Sequence, residues 1–305
     1  MDSQSAESLE EEEQATGLLA KLAPHLVGEA RVSATIGGAD KRVFFVGQDY
    51  ILRIPRHDLV RQRIEVEQRV LKRLEGRLCL PTPRLVAVDP ETGADLCLKA
   101  PGDVVGWRAW GELGRSARSK LGRSFGRFLA DLHAEIPATE ALGMGVPEYT
   151  LPDSASLEDR LAAVMKGARR KQLLSAVLAA LPWLGEETRE PVLLHGDFSH
   201  HNIGFELPSM KAVGVFDFGG AHVGDPHRDL RYDPGLEGND RLVVDEYEAA
   251  GGQSISRPRQ RAWHALSALE NLIHSLANEG PELQAARWGW VDSVASWDLT
   301  PLEDK

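Results

Sequence analysis

The chain has 305 residues, 42% of them hydrophobic, and a formal net charge of −11 at pH 7. A single hydrophobic core is near its upper limit at this length, so one or two domains are expected. The acidic charge argues against a general nucleic-acid-binding protein and fits a cationic or neutral ligand, although it can also serve solubility alone. The sequence has no leader and no apolar run of membrane-spanning length, which predicts a cytoplasmic protein without a membrane partner; we expect a monomer. Cys79 and Cys97 lack metal-binding spacing and are predicted to be buried free thiols.

The chain begins with an acidic, serine-rich segment, residues 1–14, which is typical of a solvated tail or of a frayed helix start. Leucines then recur at helical spacing and predict a short amphipathic helix that contains Leu18, Leu19, Leu22 and Leu26. From Arg31 onward the pattern changes, and alternating apolar residues predict three strands at residues 31–36, 43–46 and 50–54.

A glycine pair, Gly37 and Gly38, interrupts the first two strands. Because glycine allows close approach to the backbone, such a turn can place backbone N–H groups over the phosphates of a ligand. A plain hairpin turn is the common alternative for two glycines between strands. The position of the pair ahead of the acidic motifs described below favours phosphate binding.

Arg53 is an ionic residue between apolar neighbours in the third strand. The next segment, residues 58–75, has apolar residues on one face and charges elsewhere, which predicts a helix. Glu65 and Glu67 of this helix can each pair with Arg53, and the sequence leaves the choice between them open.

Two more predicted strands, residues 84–88 and 96–99, bring the N-terminal part to five strands and one main helix. The segment Lys99-Ala100-Pro101-Gly102 follows, either as a surface loop or as a boundary between two parts of the molecule. The remainder is mostly helical, because apolar stripes at helical spacing end at His133 and recur within residues 157–182 and 263–276.

Three polar side chains lie near the middle of the chain, where two short apolar runs end. The runs Val192–Leu194 and Ala212–Phe216 lead into Asp197 and Asp217, and Asn202 lies between these residues. Magnesium-assisted phosphoryl transfer needs a carboxylate for the attacking hydroxyl, and an amide oxygen and a second carboxylate for the metal. The spacing of Asp197 and Asn202 also matches the catalytic loop of protein kinases.

The motifs of this region resemble those of the aminoglycoside phosphotransferase-like kinases: His195-Gly196-Asp197-x-x-x-x-Asn202, Asp217-Phe218 and Gly224-Asp225-Pro226-x-x-Asp229-Leu230. These are small-molecule kinases with a protein-kinase-like fold. The resemblance implies an α+β bilobal fold. Its N-lobe would be residues 1–100, with a five-stranded antiparallel sheet and one main helix, and its mainly helical C-lobe residues 101–305. The run Phe198-Ser199 resembles the aminoglycoside 2″-phosphotransferases in particular.

The resemblance also implies roles for single residues. Asp197 would be the catalytic base, and Asn202 and Asp217 would hold Mg²⁺, with ATP or GTP as the phosphoryl donor. Protein kinases have a lysine in the third strand, so Arg53 is a departure that we interpret as tolerated, because Arg also binds phosphate and carboxylate. The implied nucleotide-binding set is Gly37, Gly38, Arg53, Glu67, Lys99 and Pro101. The residues implied to support the catalytic loop and the segment after it are His195, Asp225 and Asp229.

The acceptor is less defined, because the family acts on aminoglycosides, macrolides and metabolic alcohols such as choline, homoserine or hydroxylysine. Acidic residues follow Leu230 and would suit a polycationic aminoglycoside, although they are also typical of a solvated helix face. We predict a small-molecule kinase that contributes to antibiotic resistance, with an aminoglycoside as the first candidate. The predicted acceptor-binding residues are Ser199, His200, His201, Asp233, Glu237 and Glu270. The sequence does not distinguish ATP from GTP.

Two other functions are compatible with parts of the sequence. Histidines and aspartates of the central region could form a dinuclear metal hydrolase, since imidazole binds Zn²⁺ or Mn²⁺ and such sites activate water. Their spacing matches no ligand pattern, however, and that function leaves the five N-terminal strands unexplained. A nucleotide-binding pseudokinase is the other alternative; Asp197, Asn202 and Asp217 argue against it, and Arg53 leaves it open.

Overall fold

The computed structural model describes residues 3–28, 31–34, 41–106, 112–185, 190–232, 241–278, 284–285 and 287–291. The chain divides into two compact units, each made of three segments. Unit 1 consists of Met1–Leu121, Ala134–Pro147 and His195–Ala221. Unit 2 consists of Gly122–His133, Glu148–Leu194 and His222–Lys305. The lobe boundary expected after residue 100 stays a prediction.

The described part of unit 1 contains an antiparallel five-stranded sheet with the strand order β1-β2-β3-β5-β4. The sequence predicts these strands, with differences of a few residues at their ends. Gly37 and Gly38, in the turn between the first two strands, lie outside the described residues. The strands are β1 (Val32–Ala34), β2 (Lys41–Val46), β3 (Tyr50–Pro55), β4 (Arg84–Val88) and β5 (Asp95–Leu98).

Two helices of unit 1, α1 (Ser3–Leu22) and α2 (Asp58–Leu74), contact opposite faces of the sheet. The alternation of side chains along β3 explains this arrangement. Leu52 and Ile54 of β3 are buried in one apolar cluster with residues of α1, among them Leu18 and Leu19. Arg53 lies between Leu52 and Ile54, so its side chain points to the opposite face of the sheet, where it is hydrogen-bonded to Glu67 of α2. The sheet is therefore covered by α1 on one face and reached by α2 on the other.

The structure corrects two expectations about this half of the chain. The helix α1 begins at Ser3, so of the two alternatives for the acidic segment the structure has a helix start and not a tail, and Leu26, expected in the same helix, falls in a short 3-10 turn after it. Cys97 is buried as predicted, but the prediction for Cys79 is wrong, because that residue is exposed. It follows the end of α2, where the chain passes along the surface toward β4.

Helices form most of the described part of unit 2. Apolar residues of three helices share one core, with Leu161, Leu173 and Leu266 among its members. No helix in the described ranges is long and apolar enough to cross a membrane. Further helices in the described ranges are α3 (Arg115–Glu135), α4 (Ala138–Gly143), α5 (Ser154–Val164), α6 (Ala168–Gly185), α7 (Leu242–Ala249) and α8 (Arg257–Asn278).

Two short antiparallel strand pairs carry the central motifs. In unit 2, β6 (Val192–Leu194) pairs with β9 (His222–Gly224). In unit 1, β7 (Ile203–Glu206) pairs with β8 (Lys211–Val215). The buried run Val192–Leu194 thus leads directly into the segment of His195 and Asp197, as the apolar pattern predicts.

Gly126 allows α3 and α7 to approach each other closely within unit 2. A side-chain carbon at this position would meet the carbonyl oxygen of Val243 and would lie 2.7 Å from the backbone nitrogen of Tyr247. Backbone atoms cannot move aside as the end of a flexible side chain can. The glycine is therefore required by packing and not by its own backbone angles.

We predict that Gly126→Ala destabilises the protein by about 1–3 kcal/mol, the usual cost of overpacking. The matched control is Gly17→Ala in α1, where a side-chain carbon would meet nothing within 4 Å. Alanine favours a helix over glycine by about 0.5–1 kcal/mol, so the control variant should be as stable as the original or more stable. Urea unfolding of both variants measures this, and equal stability of the two would contradict the packing argument.

Candidate active site

Asp197 and Asn202 are held together in the loop that follows β6. The side-chain nitrogen of Asn202 donates to the backbone oxygen of Asp197 at 2.8 Å and to its carboxylate Oδ2 at 3.0 Å. Asp197 is exposed, whereas Asn202 is only 7% exposed. Because both donor hydrogens of the amide point to Asp197, the amide oxygen is the atom of Asn202 that can serve as a metal ligand.

Asp217 lies at the end of β8 in a left-handed backbone conformation, with φ 64° and ψ 64°. Such angles are uncommon for residues other than glycine and concentrate at functional sites. The carboxylate Oδ1 lies 3.2 Å from the Lys41 ammonium of β2. Burial acts to raise the pKa of Asp217, but Lys41, together with His195 and Arg53, outweighs it and the pKa lies below its ordinary value. The group is therefore an anion at neutral pH.

His195 connects the two aspartate segments. Its Nε2–H donates to the carbonyl oxygen of Phe216 at 3.0 Å, and its Nδ1 accepts from the backbone N–H of Asp197 at 3.3 Å. The imidazole also packs on the Phe218 ring, with 4.6 Å between ring centroids. One histidine thus fixes the residue before Asp217 relative to Asp197, which is the arrangement that a supporting role requires.

Arg53 is bound by two carboxylates in the interior of unit 1. Its NH1 lies 2.6 Å from Glu67 Oε1, and its Nε and NH2 contact the two oxygens of Asp95 at 2.8 and 2.7 Å. Burial alone would lower the pKa of Arg53, but the two carboxylates raise it well above its ordinary value. Glu65 instead bonds Arg61 one helical turn away, so the structure selects Glu67 as the partner of Arg53.

Three residues of this region were missed by the sequence analysis: Lys41, Gln68 and Asp95. Asp95 is completely buried, faces Arg53 across the β3–β5 pair and also accepts from Gln68 Nε2 at 2.9 Å. A signal did exist for Asp95, because a carboxylate at the start of an apolar strand needs a buried cation as its partner. No local pattern marks Lys41, since a lysine at the start of a strand is common.

Lys99 and Pro101 lie in the segment after β5. The backbone N–H of Lys99 donates to the Asp49 carbonyl at 2.8 Å. The carbonyl oxygen of Pro101 packs tightly against Gly204 and Gly214 of the β7–β8 pair, 2.6 Å from where a side-chain carbon of Gly214 would be. The segment is thereby attached to unit 1. A contact of Lys99 or Pro101 with a nucleotide stays a prediction.

Asp225 and Asp229 form separate networks in unit 2. Asp225 accepts from the His227 ring at 2.6 Å and from Trp263 Nε1 at 2.9 Å, and it also pairs with Arg259. Burial would raise the pKa of Asp225, but these donors hold it well below its usual range. Asp229 lies 3.2 Å from His133, the histidine that ends the predicted apolar stripe. Both aspartates are thus in positions suited to structural support.

Glu270 of α8 is surrounded by basic groups and an aromatic hydroxyl in unit 2. Tyr149 donates to Glu270 at 3.2 Å, and Arg228 and Arg160 lie 3.5 and 3.8 Å from its carboxylate. The Arg228 guanidinium also stacks on Tyr149, 3.9 Å from the ring centroid. Glu270 is therefore partly neutralised by cations of the protein itself.

The other predicted acceptor residues are divided between two regions. Ser199, His200 and His201 follow Asp197 in unit 1, and the two imidazole rings lie 3.8 Å apart. Burial, with a smaller effect of His201, lowers the pKa of His200 to about 4, so this ring is neutral at pH 7. Asp233 and Glu237 lie outside the described residues.

The donor atoms near Asp217 fit a magnesium ion better than a zinc centre. Asp217 and Asn202 offer hard oxygen ligands, and Mg²⁺ commonly takes one or two protein ligands and obtains the rest from water and phosphate. Within the described ranges no three His, Cys, Asp or Glu side chains come together as a metal-binding group. The central histidines have other contacts, such as those of His195 with Phe216 and of His227 with Asp225. His195 and His227 therefore already have partners within the protein.

The antiparallel five-stranded sheet and the helices of the described residues form an α+β fold of the protein-kinase-like class, and the comparisons agree. The sequence model of the phosphotransferase enzyme family (APH) matches residues 31–232, about two thirds of the chain. The chain belongs to this family. No curated protein matches the sequence.

Solved structures with the same fold cover nearly the whole chain. Wild-type aminoglycoside 2'-phosphotransferase-IIIa in its GDP complex is 19% identical, with a TM-score of 0.74 over 93% of this chain and 98% of its own. Macrolide 2'-phosphotransferase MphH from Brachybacterium faecium is 23% identical, with a TM-score of 0.64 over 95% and 99%. The streptomycin–ATP–APH(2")-IIa ternary complex is 18% identical, with a TM-score of 0.61 over 94% and 96%. At these identities the likeness establishes the protein-kinase-like α+β fold.

We predict that Glu67→Ala and Glu65→Ala differ strongly in stability although the residues lie on the same helix. Removing Glu67 leaves part of a buried cation unpaired, which typically costs about 3–5 kcal/mol. Removing Glu65 breaks a partly exposed pair, worth at most about 1 kcal/mol. The free energy of unfolding in urea measures both, and similar losses would contradict the importance of the buried pair.

Proposed function

We propose that the protein transfers the γ-phosphoryl group of ATP or GTP to a hydroxyl group of a small molecule. The observation that carries this proposal is the assembly of Asp197, Asn202 and Asp217 in unit 1, with His195 bonded to both aspartate segments. A nucleotide-binding pseudokinase has no need for an exposed carboxylate held in this way. A nucleoside triphosphate donor also fits a cytoplasmic enzyme.

In this mechanism Asp197 orients the acceptor hydroxyl and takes up its proton as the new bond from the acceptor oxygen to the γ-phosphorus forms. The bond from the γ-phosphorus to the β–γ bridging oxygen breaks, and ADP or GDP leaves. The bond from Asn202 holds one carboxylate oxygen in place, so that little rearrangement is needed when the acceptor binds. Asn202 and Asp217 are the residues that would hold Mg²⁺, which neutralises charge on the transferring phosphate groups. Arg53 fixes Glu67 at the edge of this site.

An aminoglycoside is our first candidate acceptor. The chain carries a net charge of −11, and a polycationic substrate is attracted by such a field. The predicted acceptor residues Ser199, His200 and His201 directly follow Asp197 in the chain. One structural relative was solved with GDP and kanamycin and is 19% identical with a TM-score of 0.71. A protein of this activity would contribute to antibiotic resistance.

A macrolide is the second candidate, and the ion pairs of unit 2 favour it. Arg228 and Arg160 lie close to Glu270, and Arg241 lies 3.1 Å from Asp245 and 3.0 Å from Glu248. Three of the acidic residues that follow Leu230 therefore already have arginine partners. An acceptor with one amine needs fewer free carboxylates than a polycationic one, since burying a second cation there without a partner is costly.

The decisive experiment is a coupled assay of nucleotide consumption with Mg²⁺. ATP and GTP are supplied separately against aminoglycosides, macrolides and the metabolic alcohols choline, homoserine and hydroxylysine. The proposal predicts turnover that depends on one acceptor class and that Asp217→Asn abolishes. Turnover with a macrolide only would replace the first candidate by the second. Nucleotide binding without turnover for any acceptor would favour the pseudokinase.

We predict that Asp197→Ala lowers acceptor-dependent turnover by about 10²–10⁴-fold, the usual contribution of general acid–base catalysis. Nucleotide affinity should change little, because Asp197 is not assigned to the metal or to the phosphates. The matched control is Asp159→Ala, which removes an exposed carboxylate in α5. The kcat of the two variants and the Kd for ATP or GTP are measured, and unchanged turnover in Asp197→Ala would refute the assignment.

A further inference from the structure

Lys41 is a partly exposed cation next to the proposed metal ligand. Its ammonium group lies 3.2 Å from Asp217 Oδ1 and 3.9 Å from Glu67 Oε2. About 23% of its side chain is exposed, compared with 8% for Arg53. The carboxylates that contact Lys41 or Arg53 belong to Glu67, Asp95 and Asp217, all of which lie in unit 1. Lys41 thus has a partly exposed ammonium group that lies between the carboxylates of Glu67 and Asp217.

Arg53, by contrast, is poorly suited to bind phosphate. Each of its three nitrogens already contacts a carboxylate oxygen, two of them on Asp95 and one on Glu67. A phosphate would have to compete with these short, buried, charge-assisted bonds. Arg53 therefore performs one half of the task of the kinase lysine, which is the pairing with a helix glutamate, and leaves the phosphate contact to another group.

Glu67 has one carboxylate oxygen left for such a group. The residue is 2% exposed, and Oε2 is buried without a hydrogen-bond partner in the described structure, whereas Oε1 contacts Arg53. A side-chain carbon built on Gly219 would lie 3.4 Å from Asp217 Oδ1 and 3.7 Å from both Glu67 Oε2 and Lys41 Nζ. The three charged groups therefore converge on one point, which a glycine keeps open.

We propose that Lys41 is a phosphate-binding residue of this protein and that it performs the second half of the lysine's task from β2. Its ammonium exchanges Asp217 for phosphate oxygens when the metal–nucleotide complex binds, while Glu67 Oε2 keeps it in place. This inference rests on the proposed phosphotransferase function.

The charges of the region support this exchange. Two cations, Lys41 and Arg53, face three carboxylates, those of Glu67, Asp95 and Asp217, so the group has a net charge of −1. If Asp217 takes a divalent cation, the group becomes positive, and phosphate oxygens are the natural counter-charge. Lys41 and the metal would also repel each other at Asp217, and this repulsion is relieved when the ammonium turns to the phosphates.

The test measures binding and does not depend on turnover. The variants are Lys41→Met, which removes the charge but keeps an unbranched side chain only one atom shorter, Lys41→Arg, which keeps the charge, and Lys21→Met as control. Lys21 is an exposed lysine of α1 that pairs only with exposed Glu91 among the contacts described for it, at 3.4 Å. Titration calorimetry gives the Kd of ATP and GTP with Mg²⁺, and of adenosine and guanosine, which lack phosphates. Binding of Mn²⁺ alone is followed by electron paramagnetic resonance.

We expect Lys41→Met to bind the triphosphate about 10- to 100-fold more weakly, the effect of one lost charge-assisted hydrogen bond. Nucleoside affinity should stay within about twofold, which shows that the variant is folded, and Lys41→Arg should recover much of the loss. Mn²⁺ alone should bind Lys41→Met more tightly, because its competitor at Asp217 is gone.

Two results would overturn the inference, and they differ. If Lys41→Met binds the triphosphate as tightly as the original protein does, Lys41 is only a structural partner of Asp217, and the proposed function stands. If the original protein binds neither ATP nor GTP, the proposed function itself fails.

Discussion

The buried contact of Arg53 with Asp95 and Glu67 is the interaction on which the arrangement of unit 1 depends. It joins three elements, since Arg53 lies on β3, Asp95 on β5 and Glu67 on α2. Ionic groups removed from water are tolerated only when their partners are placed with good geometry, so this contact restricts the position of α2 relative to the sheet. The position of α2 in turn brings Glu67 Oε2 close to Lys41 and Gly219.

The segment of Asp197 is fixed by a different means, namely by hydrogen bonds and not by ion pairs. His195 links Asp197 to the carbonyl of Phe216, and Asn202 holds both the backbone and the side chain of Asp197. The ion pairs of Arg53 and Lys41 lie in the neighbouring part of unit 1. The position of Asp197 therefore depends on interactions other than those that fix α2.

The sequence predicted those residues of this site that belong to a continuous motif or to the alternating pattern of a strand. Asp197, Asn202 and Asp217 have a fixed spacing after short apolar runs, and the period of β3 places Arg53 opposite Leu52 and Ile54. The choice of Glu67 over Glu65 required the structure: the two residues lie on nearly opposite faces of the helix, about 200° apart, and the face that meets Arg53 depends on how tertiary packing rotates α2. Asp95 and Lys41 act through partners 42 and 176 residues away in the chain, which no local pattern reveals.

The division of unit 1 into three stretches of chain has a consequence for how the protein is made. A ribosome releases the sheet and α1 first, but the segment His195–Ala221 emerges only after most of the helices of unit 2 have been synthesised. Until then Lys41 and Glu67 lack Asp217, and the segment after β5 lacks the β7–β8 pair on which it packs. Such non-local closure slows folding and leaves apolar surface exposed for longer. Unit 1 is therefore complete only once residue 221 has been synthesised, and unit 2 is completed later, by the residues from His222 onward.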